Sequence, residues 1–322
     1  MTSMQCRCGQ KVYFYNHSCV RCGRQLAFDS GALAMIAEAS PGDGVPACAN
    51  RTTAVNCNWT PLAGNDAGFC LSCAMSKTIP MLDKPGNEDR WRKLEDAKRR
   101  LIYDLLLLGL PVDRNRLEFH FKEDRRTNPD VGEHHVTTGH SRGEITINAA
   151  EADEVFRETM RQAMNEPWRT LLGHMRHESG HYYFTELVND VNLAEVRRYF
   201  GDESQDYDTA LTAYYERGPR PDWQQSFISA YASAHPAEDW AECWAHYLHI
   251  RSVLAVAVDA KLLPDGNNWY ERFVELVLSL NEIMRSLGLP DAYPFVLTDV
   301  VVRKIECVHR VVVQHTAGRG TG

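Results

Sequence analysis

Two histidines four residues apart enclose a glutamate in the stretch His177-Glu178-Ser179-Gly180-His181, which lies inside a helical pattern. At about 3.6 residues per turn both imidazoles leave one face of the helix, where two ring nitrogens can share one tetrahedral ion. Glu178 stands beside them, close enough to take a proton from an attacking water without itself holding the metal. The pattern is HExxH, and the chemistry it can perform is metal-assisted hydrolysis. A catalytic ion needs a third protein ligand and an open position. Candidates for that ligand lie in His235-Pro236-Ala237-Glu238-Asp239-Trp240-Ala241-Glu242. Pro236 suits the first position of a helix, and acidic residues suit its positive end. Glu238 and Glu242 share a face as the two histidines do, so one can ligate while the other orients a ligand histidine through its second nitrogen. His134, His135, His140, His174, His246 and His249 read as packing or surface residues, although His174 and His246 each lie one turn from a site residue.

A second kind of metal chemistry opens the chain. Eight of the ten cysteines fall in the first 73 residues, as Cys6, Cys8, Cys19, Cys22, Cys48, Cys57, Cys70 and Cys73. The N-terminus shows no apolar leader segment, so the thiols read as metal ligands rather than disulfides, and the location expected is cytoplasmic. Cys6-x-Cys8 with Cys19-x-x-Cys22 supplies one four-thiolate set. Cys48, Cys57 and Cys70-x-x-Cys73 supply a second, with cross-pairing between the sets left open. So small a segment could not hold itself together by its core alone, which is why structural zinc suits it. Cys243 and Cys307 sit in apolar helical patterns and read as small buried hydrophobes.

The composition is that of an ordinary globular protein, with 44% hydrophobic and 24% charged residues, and the net charge of -8 argues against nucleic-acid binding by the whole molecule. The longest apolar run, around Leu105 to Leu110, is far shorter than the roughly 20 residues of a membrane span. The elements that must position the site follow from the texture of the sequence. Residues 1–80 are loop-rich and punctuated by cysteine, and 81–316 form the larger domain, expected to fold without the first. A helix runs from about Glu88 through Leu108. Two strand-like pieces, Leu117–Phe121 and Glu144–Asn148, read as a hairpin region. Helices are expected over about 150–164, 168–189, 207–217, 222–233, 236–262, 268–287 and 298–314.

The HESGH helix followed by Glu238-x-x-x-Glu242 resembles the arrangement of the gluzincin peptidases, most closely the anthrax-lethal-factor type. The resemblance implies Glu238 as the ligand and Glu242 as its support. It also implies Tyr231, seven residues before Glu238, as a phenol that hydrogen-bonds the oxyanion. Across nearly the whole chain, Cys57-Asn58-Trp59, Lys98-Arg99-Arg100-Leu101, Thr138-Gly139-His140, Ile145-Thr146-Ile147-Asn148, the segment Glu166 to His174 and HPAEDWAE are similar to a bacterial family of zinc-binding metallopeptidases with an N-terminal zinc ribbon. Ala237 and Cys243 depart from the aromatic and the threonine usual there, and neither is a proposed ligand. The fold class implied is α+β: a mainly helical zincin-like metallopeptidase domain with a small β-sheet, preceded by a cysteine-rich zinc-ribbon module.

On this reading the chain is a zinc metalloendopeptidase with one catalytic and two structural zinc ions. Zinc lies with His177, His181 and Glu238, Glu178 is the base, and Tyr231 stabilises the oxyanion. Ile145–Asn148 is expected to offer an edge strand to an extended peptide. Partners are a peptide or protein substrate and a protein or nucleic-acid partner of the ribbons, with no membrane. The competing readings are a zinc-ribbon adaptor with a peptidase-like platform and a non-peptidase zinc hydrolase. Retention of Glu178 favours the enzyme, because a binding module has no use for a base between two ligands.

Overall fold

The computed structural model describes residues 4–40, 42–164, 166–264, 266 and 268–319. Its architecture is α+β, and its residues group into two compact units. The first comprises residues 1–164 and 170–175; the second comprises 165–169 and 176–322.

The first unit begins with two small antiparallel ladders, β1 (Met4–Gln5) with β2 (Lys11–Val12) and β3 (Leu26–Asp29) with β4 (Ala34–Ala37). A one-turn helix, α1 (Leu71–Ala74), leads into β5 (Ser76–Thr78) and the long helix α2 (Asn87–Leu107). Strands β6 (Glu118–Lys122), β7 (Gly139–Ser141) and β8 (Glu144–Asn148) complete a four-stranded sheet in the order β5-β6-β8-β7, and α3 (Glu154–Ala163) follows.

The core of this unit crosses the boundary expected at residue 80. Tyr103 of α2 is fully buried against Phe14 and Phe28, with ring centroids 4.4 and 5.4 Å away, and Trp59 packs onto both phenylalanines. On the same helix Glu95 and Lys98 form a fully buried ion pair at 2.9 Å, Ser76 donates to Glu95, and Cys73 Sγ lies 3.9 Å from the same carboxylate. Packing therefore joins the cysteine-rich segment to α2, although the texture of the sequence changes between them.

Two strand expectations are corrected. β6 and β8 pair in parallel, Phe119 opposite Ile145 and Phe121 opposite Ile147, rather than as the arms of a hairpin. The hairpin is β7 with β8, turned at Arg142-Gly143 with both residues at positive φ. The connection from β6 to β7 is pinned by buried Asp124, which accepts from Val136 N at 3.0 Å and from Asn148 Nδ2 at 2.8 Å and pairs with Arg126. Ile145 and Thr146 consequently lie inside the sheet, between β6 and β7, and past the end of β7 Asn148 N donates to Thr138 Oγ1 at 3.2 Å. The three-residue β7 was too short to show an alternating pattern.

The second unit is helical: α4 (Leu171–Leu187, whose first turn belongs to the first unit), α5 (Leu193–Phe200), α6 (Tyr207–Arg217), α7 (Trp223–Ser226), α8 (Pro236–Asp259), α9 (Trp269–Ser286) and α10 (Asp299–Arg319). Helix α4 stops before 189 because Asn192 Nδ2 donates to Leu187 O at 3.0 Å and Asn192 Oδ1 accepts from Asn189 N at 2.9 Å. The chain then re-enters a helix, α5, which the sequence reading did not anticipate. The helix expected over 222–233 is broken in two. Ser226 O is taken by Lys304 Nζ at 2.6 Å and Phe227 is extended, so α7 ends and a 3₁₀ turn, Tyr231–Ser233, forms separately. Helix α8 is the centre of the unit, and its N-terminal half is buried on nearly every side, including Trp240, Trp244 and Tyr247.

Candidate active site

The start of α8 is built as its sequence dictates. His235 is the N-cap, its Nδ1 accepting from Ala237 N at 3.1 Å, and Pro236 occupies the first turn, where no backbone donor is needed. Asp239, one residue after Glu238, is buried and paired with Lys304 at 2.5 Å, which locks the rotation of this turn. Burial pushes the Asp239 carboxyl up to about 7 despite that cation.

Helix α4 meets α8 at unusually short range. Trp240 Nε1 donates to Gly180 O and Trp244 Nε1 to Ser179 Oγ, both at 3.0 Å, while Ser179 Oγ donates to Arg176 O at 2.7 Å. A Cβ on Gly180 would stand 2.9 Å from the Cα of Ala241. Serine and glycine between the two histidines are thus packing choices: one supplies an acceptor and the other supplies room.

That approach brings His177, His181 and Glu238 together, with one donor atom from each lying within 4.8 Å of the others. His177 Nε2 is 3.0 Å from Glu238 Oε2, and His181 Nε2 is 3.5 Å from Glu238 Oε1. The opposite nitrogen of His177, Nδ1, is 2.7 Å from Glu242 Oε1. The two glutamates are therefore not equivalent: Glu238 faces both Nε2 atoms, whereas Glu242 engages the far side of His177. A tetrahedral zinc with bonds of about 2.0–2.1 Å separates its donors by about 3.3–3.4 Å, so this donor set fits the ion.

The electrostatics fit as well. Burial opposes charge on every group here. Even so, His177 and His181 hold the Glu238 carboxyl well below its usual range. Glu238 and Glu242 in turn keep the His177 imidazole raised against its burial. Glu178, Glu238 and Glu242 are three carboxylates gathered around two imidazoles, an excess of negative charge that a divalent cation would balance. Burial raises the Glu178 carboxyl.

Tyr231 lies beside His177, its ring centroid 6.0 Å from that of the imidazole. Burial, then the Glu238 charge, raises its phenol, which stays protonated as a donor. One residue of the site escaped the sequence reading. Tyr207, the first residue of α6, donates its hydroxyl to Glu238 Oε1 at 2.6 Å. The remaining histidines are placed elsewhere. His174 faces Glu151 at 3.5 Å, and His246 bonds Tyr293 at 2.8 Å with its imidazole lowered to about 4 by burial. His249 contacts Arg176, His134 contacts Arg125, and His140 accepts from Gly143 N. His135 is exposed.

The eight N-terminal thiols gather in the two sets that their spacing predicts: Cys6, Cys8, Cys19 and Cys22, and Cys48, Cys57, Cys70 and Cys73. Cys6 to Cys22 is 3.7 Å, Cys8 to Cys19 is 3.6 Å, and Cys57 to Cys70 is 3.7 Å. A disulfide would need about 2.05 Å, and a tetrahedral zinc with bonds near 2.3 Å sets its sulfurs about 3.8 Å apart. The second set is wholly buried. Cys243 and Cys307 are buried in the helical unit. No helix among the described residues is long and apolar enough to cross a membrane.

Comparison with known proteins agrees with this geometry. A family model described as "Putative zinc-binding metallo-peptidase" matches residues 87–311, and a zinc-ribbon domain model matches residues 3–84. Uncharacterized proteins of Mycobacterium bovis and of two strains of Mycobacterium tuberculosis are each 39% identical to the chain. The alignments run over 329 residues and cover 95% of this chain and 93% of theirs. No solved structure matches.

Proposed function

We propose that this chain, which belongs to the family of zinc-binding metallopeptidases and carries an N-terminal zinc ribbon, is a metalloendopeptidase of gluzincin type. Its site would comprise His177, Glu178, His181, Tyr231, Glu238 and Glu242. The observation that carries the reading is the convergence of His177 Nε2, His181 Nε2 and the Glu238 carboxylate beside a buried glutamate that is not one of the three. Those three residues would hold a catalytic zinc, and the two cysteine sets would hold structural zinc. When bound, the catalytic ion supplies a Lewis acid that acidifies water and polarises a carbonyl.

The protein residues have distinct tasks. Glu242, bonded to His177 Nδ1, fixes the tautomer and plane of that ring so that Nε2 faces the ion. Glu178 takes the proton of the attacking water and returns it to the departing amine. Its burial raises its basicity toward the range suited to that exchange. Tyr231, protonated and on the rim of the cluster, donates to the oxyanion as the carbonyl becomes tetrahedral. The buried surroundings of Glu178 and Glu238 exclude bulk water and strengthen each of these interactions.

The test combines metal analysis with cleavage of an unbiased peptide library. The wild type should carry about three zinc ions and cut peptides; Glu178→Gln should keep the metal and lose turnover. Undiminished cleavage by Glu178→Gln would remove the proposed base. Zinc binding with no cleavage of any peptide would favour a binding protein or a hydrolase of another substrate class.

A further inference from the structure

Tyr207 is a polar side chain bonded to Glu238 that neither the HExxH pattern nor the downstream glutamates account for. Its hydroxyl is 2.6 Å from Glu238 Oε1, while Oε2 of the same carboxylate is the oxygen 3.0 Å from His177 Nε2. Beside a carboxylate the phenol hydroxyl is the donor in this bond. The residue is held from two sides. It opens α6 behind an Asp206 cap, whose carboxylate accepts from Thr209 N at 2.7 Å, and its ring packs edge-on against His235, the N-cap of α8, at 5.1 Å. His235 Nε2 also reaches Gln205 O at 3.2 Å.

Helix α6 itself has no buried residue. Gly201 and Gly218, both at positive φ, bound the segment that contains it. Its ring contact with the site is Tyr214 against Tyr231, at 5.8 Å. The bond from Tyr207 to Glu238 thus ties an exposed helix to the charged end of α8.

Building on the proposed function, we infer that Tyr207 is a positioning residue for the metal. It bonds Oε1 of Glu238, which would leave Oε2 free to hold the ion, and so would link the placement of α6 to metal occupancy. Groups that hydrogen-bond a metal ligand typically contribute about 10–100-fold in affinity. The linkage is reciprocal: whatever α6 adds to metal affinity, bound metal must return as protection of α6.

The experiment strips the full-length chain of its weakest-held zinc with a mild chelator, confirms that the cysteine-held zinc remains, and titrates zinc back. Tyr207→Phe should bind this zinc about 10–100-fold more weakly than wild type, whereas Tyr215→Phe, on the same helix and exposed, should match wild type. In a Glu238→Ala background, adding Tyr207→Phe should have no further effect. Amide exchange of residues 207–217 should slow on zinc binding in wild type and not in Tyr207→Phe. Equal zinc affinity of Tyr207→Phe and wild type overturns the inference. A wild type that takes up no zinc beyond its cysteine sites overturns the proposed function instead, so the two failures are distinct. Since Tyr207 is 40% exposed, the variant is expected to fold, and far-ultraviolet circular dichroism checks it.

Discussion

Replacing Gly180 by alanine sets two physical arguments against each other. By helix propensity, alanine inside a helix is worth about 1 kcal/mol over glycine, so the variant would be stabilised. The structure gives the opposite sign. A Cβ at this position would lie 2.9 Å from Ala241 Cα and 3.1 and 3.2 Å from Cδ1 and Cβ of Trp244. Carbon pairs rest at about 3.5–4.0 Å, so α8 must withdraw by roughly 0.6–1.1 Å. Overpacking of this kind costs about 1–3 kcal/mol, and the withdrawal also stretches the Trp240 and Trp244 hydrogen bonds, both 3.0 Å long.

The net expectation is a loss of about 1 kcal/mol, or a fall in Tm of about 1–2 °C for a chain of 322 residues. The effect on the site is larger. His177 and His181 travel with α4, Glu238 and Glu242 with α8, and a functional constellation tolerates only about 0.5 Å of disorder in its geometry. A displacement near 1 Å can cost about 100-fold in rate. Peptide cleavage should therefore fall about 100-fold, with weakened zinc binding at the same site. Thermal unfolding, chelator competition and a peptide cleavage assay on one preparation check all three. A variant with raised Tm and unchanged zinc affinity would refute the argument that glycine is there for the close approach of α8.

Glu238→Ala should lose more zinc affinity than Glu242→Ala, whose loss should lie in the range of about 10–100-fold typical of a group that orients a ligand; competition titration reads the order, and the reverse order would exchange their roles. A chain beginning at residue 81 should lack a cooperative unfolding transition, because Tyr103, Glu95 and Lys98 would lose Phe14, Phe28, Cys73 and Ser76. A sharp two-state melt would support the boundary expected from the sequence. Lys304→Met should cost about 3–5 kcal/mol by leaving Asp239 buried without its cation. Since burial raises the Asp239 carboxyl above its unfolded value, the folded variant gains a proton as pH falls, so the deficit should be greatest near pH 8 and shrink toward pH 5.5. Urea denaturation at the two pH values measures it, and a pH-independent deficit would contradict the sign.

What could be read directly from the sequence was local. His177 with His181, Glu238 with Glu242, Cys19 with Cys22 and Cys70 with Cys73 are pairs whose members lie within one turn or one knuckle of each other, where spacing translates into geometry without knowledge of the fold. Pro236 marked the start of α8 for the same reason. Tyr207 stood outside that reach. It is 31 residues from the carboxylate it bonds, on a helix whose polar surface gives no sign of facing a site. The parallel pairing of β6 with β8 escaped because two alternating strands look alike in either direction, and only the intervening chain, held by Asp124, decides between them. The end of α7 depended on a lysine 78 residues away. The two tyrosines near Glu238 show the contrast: Tyr231 was reached through a fixed offset from the ligand, whereas Tyr207 required the fold.

The same comparison explains how the site divides its labour. The N-terminal half of helix α8 is buried on nearly all sides, so it has no polar face to betray its orientation in sequence. Its acidic first turn is held by the His235 cap, the Lys304 pair and two tryptophan hydrogen bonds to α4. Local stability follows buried contact, and α6, with no buried residue, lies at the opposite end of that scale. Glu238 is where the two meet: its backbone belongs to the rigid helix, and its Oε1 is held by the exposed one. A site made this way keeps its donor geometry fixed by α4 and α8 while the α6 wall yields at low cost. For the proposed peptidase, that is the distribution of stiffness expected where an extended substrate would enter beside preorganised ligands.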